Sequence, residues 1–248
     1  MSTLEETPLN NRAQISPQVL ARIGGVLYLI IIVAGLAGEV LIRDALITPG
    51  DAATTASHIA AAQFRWRVGI AGDLLMHLCD VPLMLIFYLL LKPVNRNLAL
   101  LALLFTAVQS AILVSTKLNQ LMPLFLLGDA AYLKAFEPAQ LQALAYLAIR
   151  ADGHGFGFGL LFFGCACLVI GYLIFRSGYL PKVIGVLMQL AGLSYLTNSF
   201  ALILSPALAS LLFPAILLPA FIAESSLCLW LLIKGVNMER WKERTVSA

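Results

Sequence analysis

The sequence predicts an all-α integral membrane protein with six transmembrane helices. Of the 248 residues, 60% are hydrophobic and only 12% are charged, and the mean hydropathy is +0.91. A soluble domain usually carries about twice this charged fraction. The apolar residues are gathered in six stretches, each near the roughly 20 residues that a helix needs to cross a bilayer. These observations favour a polytopic membrane protein over a soluble domain.

The six predicted spans are separated by polar segments that contain helix-breaking residues. Residues 92–97 and 176–182 form tight turns, where Pro and Gly end one helix before the next begins. The spans are expected at residues 23–42, 66–91, 98–121, 155–175, 183–204 and about 209–233. The division that follows is an N-terminal tail at 1–20, a transmembrane domain at 21–236 and a C-terminal tail at 237–248.

The distribution of Lys and Arg predicts that both termini lie in the cytoplasm. Cytoplasmic loops of membrane proteins are enriched in these residues. With the N-terminus inside, ten of the sixteen basic residues fall on the cytoplasmic side and five on the external side, while Lys117 lies within the third span. This bias favours the orientation with both ends of the chain inside.

The same orientation places two long loops outside, at residues 43–65 and 122–154. In the first loop, Asp51 follows a Pro-Gly turn and is suited to cap a short helix. In the second loop, Pro138 suits a first helical position and residues 139–149 form a helical run. Both loops are therefore expected to carry short surface helices that connect the spans or cover the bundle.

Several stretches, in loops as well as in spans, resemble a known family. They are ARIGGVLYLIIIV (21–33), CDV (79–81), YLLLKPVN (88–95), FEP (136–138), QLQAL (140–144), GYLIFRSG (171–178) and LPAFIAE (218–224). Together they resemble the domain-of-unknown-function 4386 family of bacterial membrane proteins, over about residues 20–236. The resemblance implies a polytopic bacterial membrane protein and no particular activity. The predicted location is the plasma (bacterial inner) membrane.

Ionisable side chains inside the spans are the candidate site residues. A charged group at the membrane centre costs about 2.5–3.5 kcal/mol on insertion scales, so each is a functional hypothesis. Asp73, His77 and Asp80 stand at i, i+4 and i+7 in the second span and therefore face one direction. Other spans contribute candidates at a similar depth. The predicted pocket residues are Asp73, His77, Asp80, Lys117, His154, Asn198 and Glu224. We expect them to line a polar cavity in the outer half of the bundle.

Three interpretations of this cluster remain open. The first is a network of interhelical ion pairs that fixes helix packing, for example Asp73 or Asp80 with Lys117. The second is a pathway for a ligand, an ion or a proton, in which His77 and the carboxylates exchange protons. The third is a metal site with N and O ligands suited to zinc, which could activate water. Its candidate ligands are Asp73, His77, Asp80, His154 and Glu224.

The functional prediction is a membrane protein that binds or translocates a small molecule or ion. One alternative is a metal-dependent intramembrane hydrolase that acts on a lipid or another hydrophobic substrate. The other is a structural, sensor or helper subunit for another membrane protein. The nucleotide-binding and hydrolase motifs of soluble enzymes do not occur, and no particular cofactor is indicated. The basic segment 234–244 is expected near anionic lipid headgroups, so the bilayer is a predicted partner and nucleic acid is not.

Overall fold

The protein is a bundle of six membrane-spanning helices. The computed structural model describes residues 16–246, and every regular element in this range is a helix. The six helical segments long and apolar enough to cross a membrane are Pro17–Leu46, Gln63–Leu91, Arg96–Leu126, Pro138–Ser177, Lys182–Leu204 and Ala215–Ile233. We call them the first to sixth span. The predicted all-α, six-span fold is confirmed. Residues 1–15 of the tail predicted at 1–20 lie outside the described residues, and the first span begins at Pro17.

The spans pack in chain order around a closed ring. Each span contacts the next one along the chain, and the sixth span returns to pack against the first. Large apolar side chains such as Leu78, Leu118 and Leu204 point outward and are exposed. Helices satisfy their backbone hydrogen bonds internally, so apolar outer faces of this kind suit a hydrocarbon environment.

The fourth and fifth spans approach each other closely at two pairs of glycines. A Cβ atom added at Gly171 would lie 2.6 Å from the carbonyl oxygen of Gly185, and one added at Gly192 would lie 2.7 Å from that of Gly164. Any side chain at these positions would push the helices apart. Small residues therefore set the helix separation here, as they do in many membrane bundles.

The fourth span is one continuous helix of 40 residues, Pro138–Ser177, and this corrects the sequence analysis. The stretch 139–149 is not a separate surface helix but the first quarter of this span. His154 lies inside the helix rather than at its start. Pro138 does occupy the first turn, and Glu137 and Gln140 form a capping box there. No proline follows Pro138 within the helix, and glycines retain the N–H groups that continue its hydrogen bonds.

Two other spans differ from their predicted bounds. The first span extends to Leu46 and contains a single π-helical segment, Glu39–Arg43. The sixth span begins at Ala215 rather than near residue 209, because Pro206–Leu212 forms a short helix of its own. Pro214 follows that helix, and proline lacks the N–H that would continue it.

A short helix, Ala52–Ala61, covers one end of the bundle. We call it the loop helix. The Asp51 side chain caps it by accepting a hydrogen bond from the Thr54 amide at 2.9 Å. On its inner face, Ile59 is buried in a small apolar cluster with Trp66 and Leu124. The loop helix therefore packs on the spans that surround this end.

The other end of the bundle carries the C-terminal helix, Met238–Val246. Its Met238 and Trp241 side chains pack against the main apolar core, which is formed by buried residues such as Leu90, Ile174 and Leu231. The region predicted as a C-terminal tail is thus attached to the bundle through its apolar face.

Candidate functional site

A buried carboxylate, Asp73, joins three spans near the end covered by the loop helix. Its side chain is almost fully buried, with 2% of its surface exposed. Asp73 Oδ2 accepts a hydrogen bond from Arg43 Nη1 of the first span at 3.0 Å. The same oxygen accepts from Lys117 Nζ of the third span at 3.1 Å. Two cations from different helices therefore converge on one carboxylate oxygen.

The fourth span adds a second carboxylate, Asp152. Lys117 Nζ lies 3.4 Å from Asp152 Oδ1, and Gln120 Nε2 donates a hydrogen bond to Asp152 Oδ2 at 2.8 Å. Lys117 thus stands between two carboxylates. We refer to Arg43, Asp73, Lys117, Gln120 and Asp152 as the ion-pair network. It ties together the first four spans of the ring.

The charges of the network balance. Arg43 and Lys117 carry one positive charge each, and Asp73 and Asp152 carry one negative charge each. Glu39 lies at the edge, where its Oε2 is 2.5 Å from Arg43 Nε, and its side chain is 49% exposed. A charge inside a membrane is tolerated when it is paired, so a formally neutral cluster explains how four ionised groups share the bundle interior.

One carboxylate oxygen of the network, Asp73 Oδ1, is buried without a hydrogen-bond donor among the described residues. Asp152 Oδ1 is buried as well, but it faces the Lys117 ammonium group at 3.4 Å. A buried acceptor left unpaired usually costs about 1–3 kcal/mol. Binding of a proton or a cation at Asp73 Oδ1 would remove this cost.

Local backbone features bring these side chains together. The π-helical segment Glu39–Arg43 lies where the first span supplies Arg43, and such segments frequently occur at functional sites. A Cβ atom at Gly38 would lie 3.2 Å from both Asp73 Oδ1 and Arg43 Nη2. The absence of a side chain at Gly38 therefore leaves room for the Arg43–Asp73 ion pair.

Two glycines of the fourth span, Gly155 and Gly159, also leave room for side chains of a neighbouring helix. A Cβ atom at Gly155 would lie 2.2 Å from Thr116 Cγ2, and one at Gly159 would lie 2.5 Å from a methyl carbon of Leu113. These glycines let the fourth span approach the third closely, about one and two turns after Asp152. The glycines at 155 and 159 therefore have a packing role between the third and fourth spans.

The loop helix and its apolar cluster lie next to the network. Trp66 Nε1 donates a hydrogen bond to the backbone carbonyl of Gln120 at 2.7 Å, while the Gln120 side chain bonds Asp152. The Tyr146 hydroxyl accepts from the Gly50 amide at 2.6 Å, which ties the loop before the helix to the fourth span. Apolar residues on the loop side therefore help to separate the network from solvent.

A second polar group lies further along the second span. His77 Nδ1 is 3.1 Å from Asp80 Oδ2, and Ser110 Oγ of the third span lies 3.4 Å from the same oxygen. His77 is 3% exposed. The predicted stripe of Asp73, His77 and Asp80 therefore faces the bundle and not lipid.

Glu224 belongs to a third polar group, on the sixth span. The Tyr195 hydroxyl of the fifth span donates a hydrogen bond to Glu224 Oε1, and Tyr28 of the first span lies beside the same carboxyl group. Glu224 forms no ion pair with another described residue. This group is therefore separate from the ion-pair network.

The remaining predicted pocket residues do not join these groups. His154 is half-buried, and its Nδ1 lies 2.9 Å from the backbone carbonyl of Arg150 in its own helix. Asn198 is half-buried on the fifth span and forms no hydrogen bond with the network among the described residues. Within residues 16–246, no three His, Cys, Asp or Glu side chains are grouped closely enough to hold a metal ion. The proposed ligands Asp73, His77, Asp80, His154 and Glu224 thus do not form one site.

Two surface pockets lie away from the network. One is small and apolar and is lined by residues such as Phe87, Leu91 and Ile170. The other has a volume of about 300 Å³ and lies beside the C-terminal helix. The outward-opening polar cavity predicted around Asp73 stays a prediction.

Three members of the network were missed by the sequence analysis. Arg43 and Asp152 fall in the segments 43–65 and 122–154, which were expected to be external loops, and Gln120 falls in the third span but is not among the predicted pocket residues. Asp152 could have been found, because it precedes Gly155 and Gly159 by three and seven residues, on one face of an uninterrupted helix. Arg43 gave no such signal, since its position depends on the π-helical segment.

Comparisons with known proteins point to one family. The family model described as "Domain of unknown function (DUF4386)" matches residues 23–235, so the resemblance noted from the sequence is confirmed. An Archaeoglobus fulgidus protein, named only "Uncharacterized protein", is 26% identical over 168 residues, which cover 67% of this chain and 83% of the relative. No solved structure matches the chain.

Proposed function

The chain belongs to the DUF4386 family, and we propose that it binds and translocates a small cation or a proton through the ion-pair network. We also propose that it lies in the inner membrane with both termini in the cytoplasm, so that the network is in the outer half. The Lys and Arg bias of the sequence supports this orientation.

The observation that carries the proposal is one lysine shared by two buried carboxylates. Lys117 Nζ lies 3.1 Å from Asp73 Oδ2 and 3.4 Å from Asp152 Oδ1. Asp73 also has a buried oxygen, Oδ1, without a hydrogen-bond donor among the described residues. A cation or proton that binds one carboxylate weakens its attraction for Lys117, and the flexible lysine can then pair with the other.

The network would then have two arrangements with a similar charge balance, one with Lys117 paired to Asp73 and one with Lys117 paired to Asp152. A ligand that binds one arrangement more tightly shifts the population toward it. Because Asp73, Lys117 and Asp152 belong to three different spans, a change of partner also changes which helices are held together. Ion binding is thereby coupled to helix packing, which alternating access requires.

A route for the ion follows the second span. Glu39 is half-exposed at the edge of the network and pairs with Arg43. Asp73, His77 and Asp80 then follow at successive turns on one face. Chains of carboxylates and histidines inside a membrane commonly relay protons.

The proposal is tested by flux into proteoliposomes that contain a pH-sensitive dye. Wild-type protein should dissipate an imposed pH gradient faster than empty liposomes. Asp73→Asn and Asp152→Asn should slow this flux about tenfold or more, which corresponds to about 1.4 kcal/mol. The matched control is Asp129→Asn, which removes an exposed loop carboxylate and should retain the wild-type flux.

Each variant is checked for folding by size-exclusion chromatography and circular dichroism in detergent. If Asp73→Asn does not fold, Asp152→Asn keeps the test in place, since asparagine retains the size and polarity of the aspartate side chain. Repeating the assay with Na⁺ or K⁺ gradients identifies a metal cation as the transported ion. Absence of flux in folded wild-type protein with all three gradients overturns the proposal.

The alternatives from the sequence are separated by the same experiment. The structural interpretation predicts altered stability without any flux. The hydrolase interpretation depends on a metal, and its five candidate ligands do not come together in the described part of the chain. The geometry therefore favours ion binding over metal-assisted hydrolysis.

A further inference from the structure

The sixth span holds a carboxyl group that lies outside the ion-pair network. Glu224 is half-buried, and its Oε1 accepts a hydrogen bond from the Tyr195 hydroxyl of the fifth span. Tyr28 of the first span is 3% exposed and lies beside the same carboxyl group. Two phenol groups from different helices therefore meet one carboxyl group.

No cation pairs with Glu224 within residues 16–246. Its carboxyl group takes part in none of the ion pairs of this range. The ionisable side chains that interact with it come from four other spans, and they are Tyr28, Asp80, Cys167 and Tyr195. Tyrosine and cysteine are ordinarily neutral at neutral pH, and an ionised Asp80 would repel a second negative charge. An ionised Glu224 would therefore be an unpaired charge in the bundle.

The histidine of the second span does not supply the missing positive charge. His77 Nδ1 lies 3.1 Å from Asp80 Oδ2, so a protonated His77 compensates the charge of Asp80. A neutral His77 compensates no charge at all. In both cases Glu224 has no cationic partner, and the group formed by His77, Asp80 and Glu224 is neutral only when a carboxyl group binds a proton.

We propose that Glu224 is a second proton-binding site of the bundle, in which the carboxyl group holds one exchangeable proton at neutral pH. An isolated charge away from water costs much more free energy than a neutral polar group, so a carboxyl group in this position becomes neutral. A protonated carboxyl group donates one hydrogen bond and still accepts others. Glu224 can thus donate to the Tyr28 hydroxyl while it accepts from Tyr195. Since Glu224 is only half-buried, its proton can exchange with the surroundings.

The assignment goes beyond the proposed function and does not require transport through the ion-pair network. Neither Glu224 nor the two tyrosines belong to the network, and no ion pair among the described residues joins the two groups. The site therefore binds its proton whether or not the network translocates an ion. An experiment on Glu224 alone can succeed or fail independently of the flux measurements.

The proposal is tested by infrared spectroscopy of the full chain at neutral pH, in a detergent without carbonyl groups. A protonated carboxyl group has a C=O stretching band that an ionised carboxylate lacks. Wild-type protein should show this band, and Glu224→Gln should lose it. Heavy water should shift the band to lower wavenumber, because deuterium replaces an exchangeable proton. The matched control is Glu239→Gln, which removes an exposed carboxylate and should leave the band unchanged.

A further variant separates the two carboxyl groups of this region. Asp80→Asn should retain the band, because the proton is assigned to Glu224. Loss of the band in Asp80→Asn but not in Glu224→Gln would place the proton on Asp80 and overturn the proposal. The proposal is also overturned if folded wild-type protein lacks the band, or if heavy water leaves the band unchanged.

The tyrosine contact provides a second readout, which holds even if Glu224→Gln does not fold. Tyr195→Phe removes the hydroxyl that donates to Glu224 Oε1. Its band should move to higher wavenumber, because a C=O group that loses a hydrogen bond vibrates at a higher frequency. Tyr172→Phe, which changes an exposed tyrosine of the fourth span, should not move the band. An unshifted band in folded Tyr195→Phe would contradict the assignment to Glu224.

Discussion

Lys117 Nζ lies 3.1 Å from Asp73 Oδ2, and both residues are buried although they are 44 positions apart in the chain. The two residues come from the third and second spans, and Asp152 of the fourth span reaches the same ammonium group. The attraction within such a buried ion pair adds little net stability to the fold. Removing one partner is nevertheless strongly destabilising, because it leaves an unpaired charge in an environment without water.

Replacing Lys117 by methionine should strongly destabilise the bundle. The variant leaves Asp73 and Asp152 with Arg43 as the only cation among the network residues. Breaking a buried ion pair by removing one partner costs about 3–5 kcal/mol. Thermal unfolding in detergent, followed by circular dichroism, measures the loss.

The control is Lys134→Met, which removes an exposed lysine from a loop and should change stability by about 0.5 kcal/mol or less. Lys117→Met/Asp152→Asn should recover part of the loss, because it restores the charge balance. A double variant as unstable as the sum of its single variants would show that Lys117 and Asp152 do not interact.

The close approach of the third and fourth spans depends on Gly155. A Cβ atom there would lie 2.2 Å from Thr116 Cγ2, whereas one at Gly153 would meet no atom within 4 Å. Gly155→Ala should therefore destabilise the protein by about 1–3 kcal/mol through overpacking. Gly153→Ala, two residues away in the same helix, should be neutral or stabilising by about 0.5–1 kcal/mol.

A second substitution identifies the clash itself. Thr116→Ser removes the Cγ2 methyl group that the new Cβ would meet, so Gly155→Ala/Thr116→Ser should be more stable than Gly155→Ala alone. Unfolding temperatures of the variants in one detergent provide the comparison. The close-approach argument fails if the serine gives no recovery.

The loop helix should loosen at acidic pH through its cap, Asp51. Hydrogen bonds from Thr54 hold the pKa of the Asp51 carboxyl below its ordinary value. A lowered folded-state pKa means that the cap stabilises the helix above the unfolded-state pKa of about 3.9. This contribution is lost as the pH falls through the lower, folded-state value.

Hydrogen exchange of the amides in Ala52–Ala61 measures this effect. The protection of these amides is compared between neutral and acidic pH. Asp51→Asn retains a side-chain acceptor for the Thr54 amide but cannot titrate. Its loop helix should therefore show a smaller acid-dependent loss of protection. An identical pH dependence in Asp51→Asn would assign the effect to another group.

The orientation of the bundle can be tested by cysteine labelling. The four native cysteines are replaced, and a single cysteine is introduced at Asp129 or at Lys242, both of which are exposed. A membrane-impermeant maleimide added to intact cells should label Asp129→Cys and not Lys242→Cys. The reverse pattern would mean that the end of the bundle with the C-terminal helix faces outward.

Much of the fold could be predicted from composition and spacing. The six apolar stretches, the turns at 92–97 and 176–182 and the cap at Asp51 all depend on residues close together in the chain. The error in the fourth span has a local cause as well. The span was expected to begin at residue 155, among several glycines, but glycine continues a membrane helix when a neighbouring span packs against it, as Thr116 and Leu113 do here.

The candidate site could be predicted only in part. The positions of Asp73, His77 and Asp80 on one helical face follow from helical periodicity, and the pairing of Asp73 with Lys117 was one of the suggested contacts. Asp80, by contrast, lies against His77 and Ser110 rather than against Lys117. Periodicity fixes the direction of a side chain around its own helix, but it says nothing about the rotation and depth of the neighbouring helix.

The sequence by itself determined that this protein is a six-span helical bundle, because the cost of leaving backbone groups unpaired in hydrocarbon makes each apolar stretch a helix regardless of its partners. The tertiary structure alone decided that Arg43 and Asp152 complete the network around Asp73 and Lys117. That choice depends on a π-helical segment, on Gly38 and Gly155, and on the order of the helices around the ring. A buried charge must be paired, but which partner it finds is set by how closely the spans can approach.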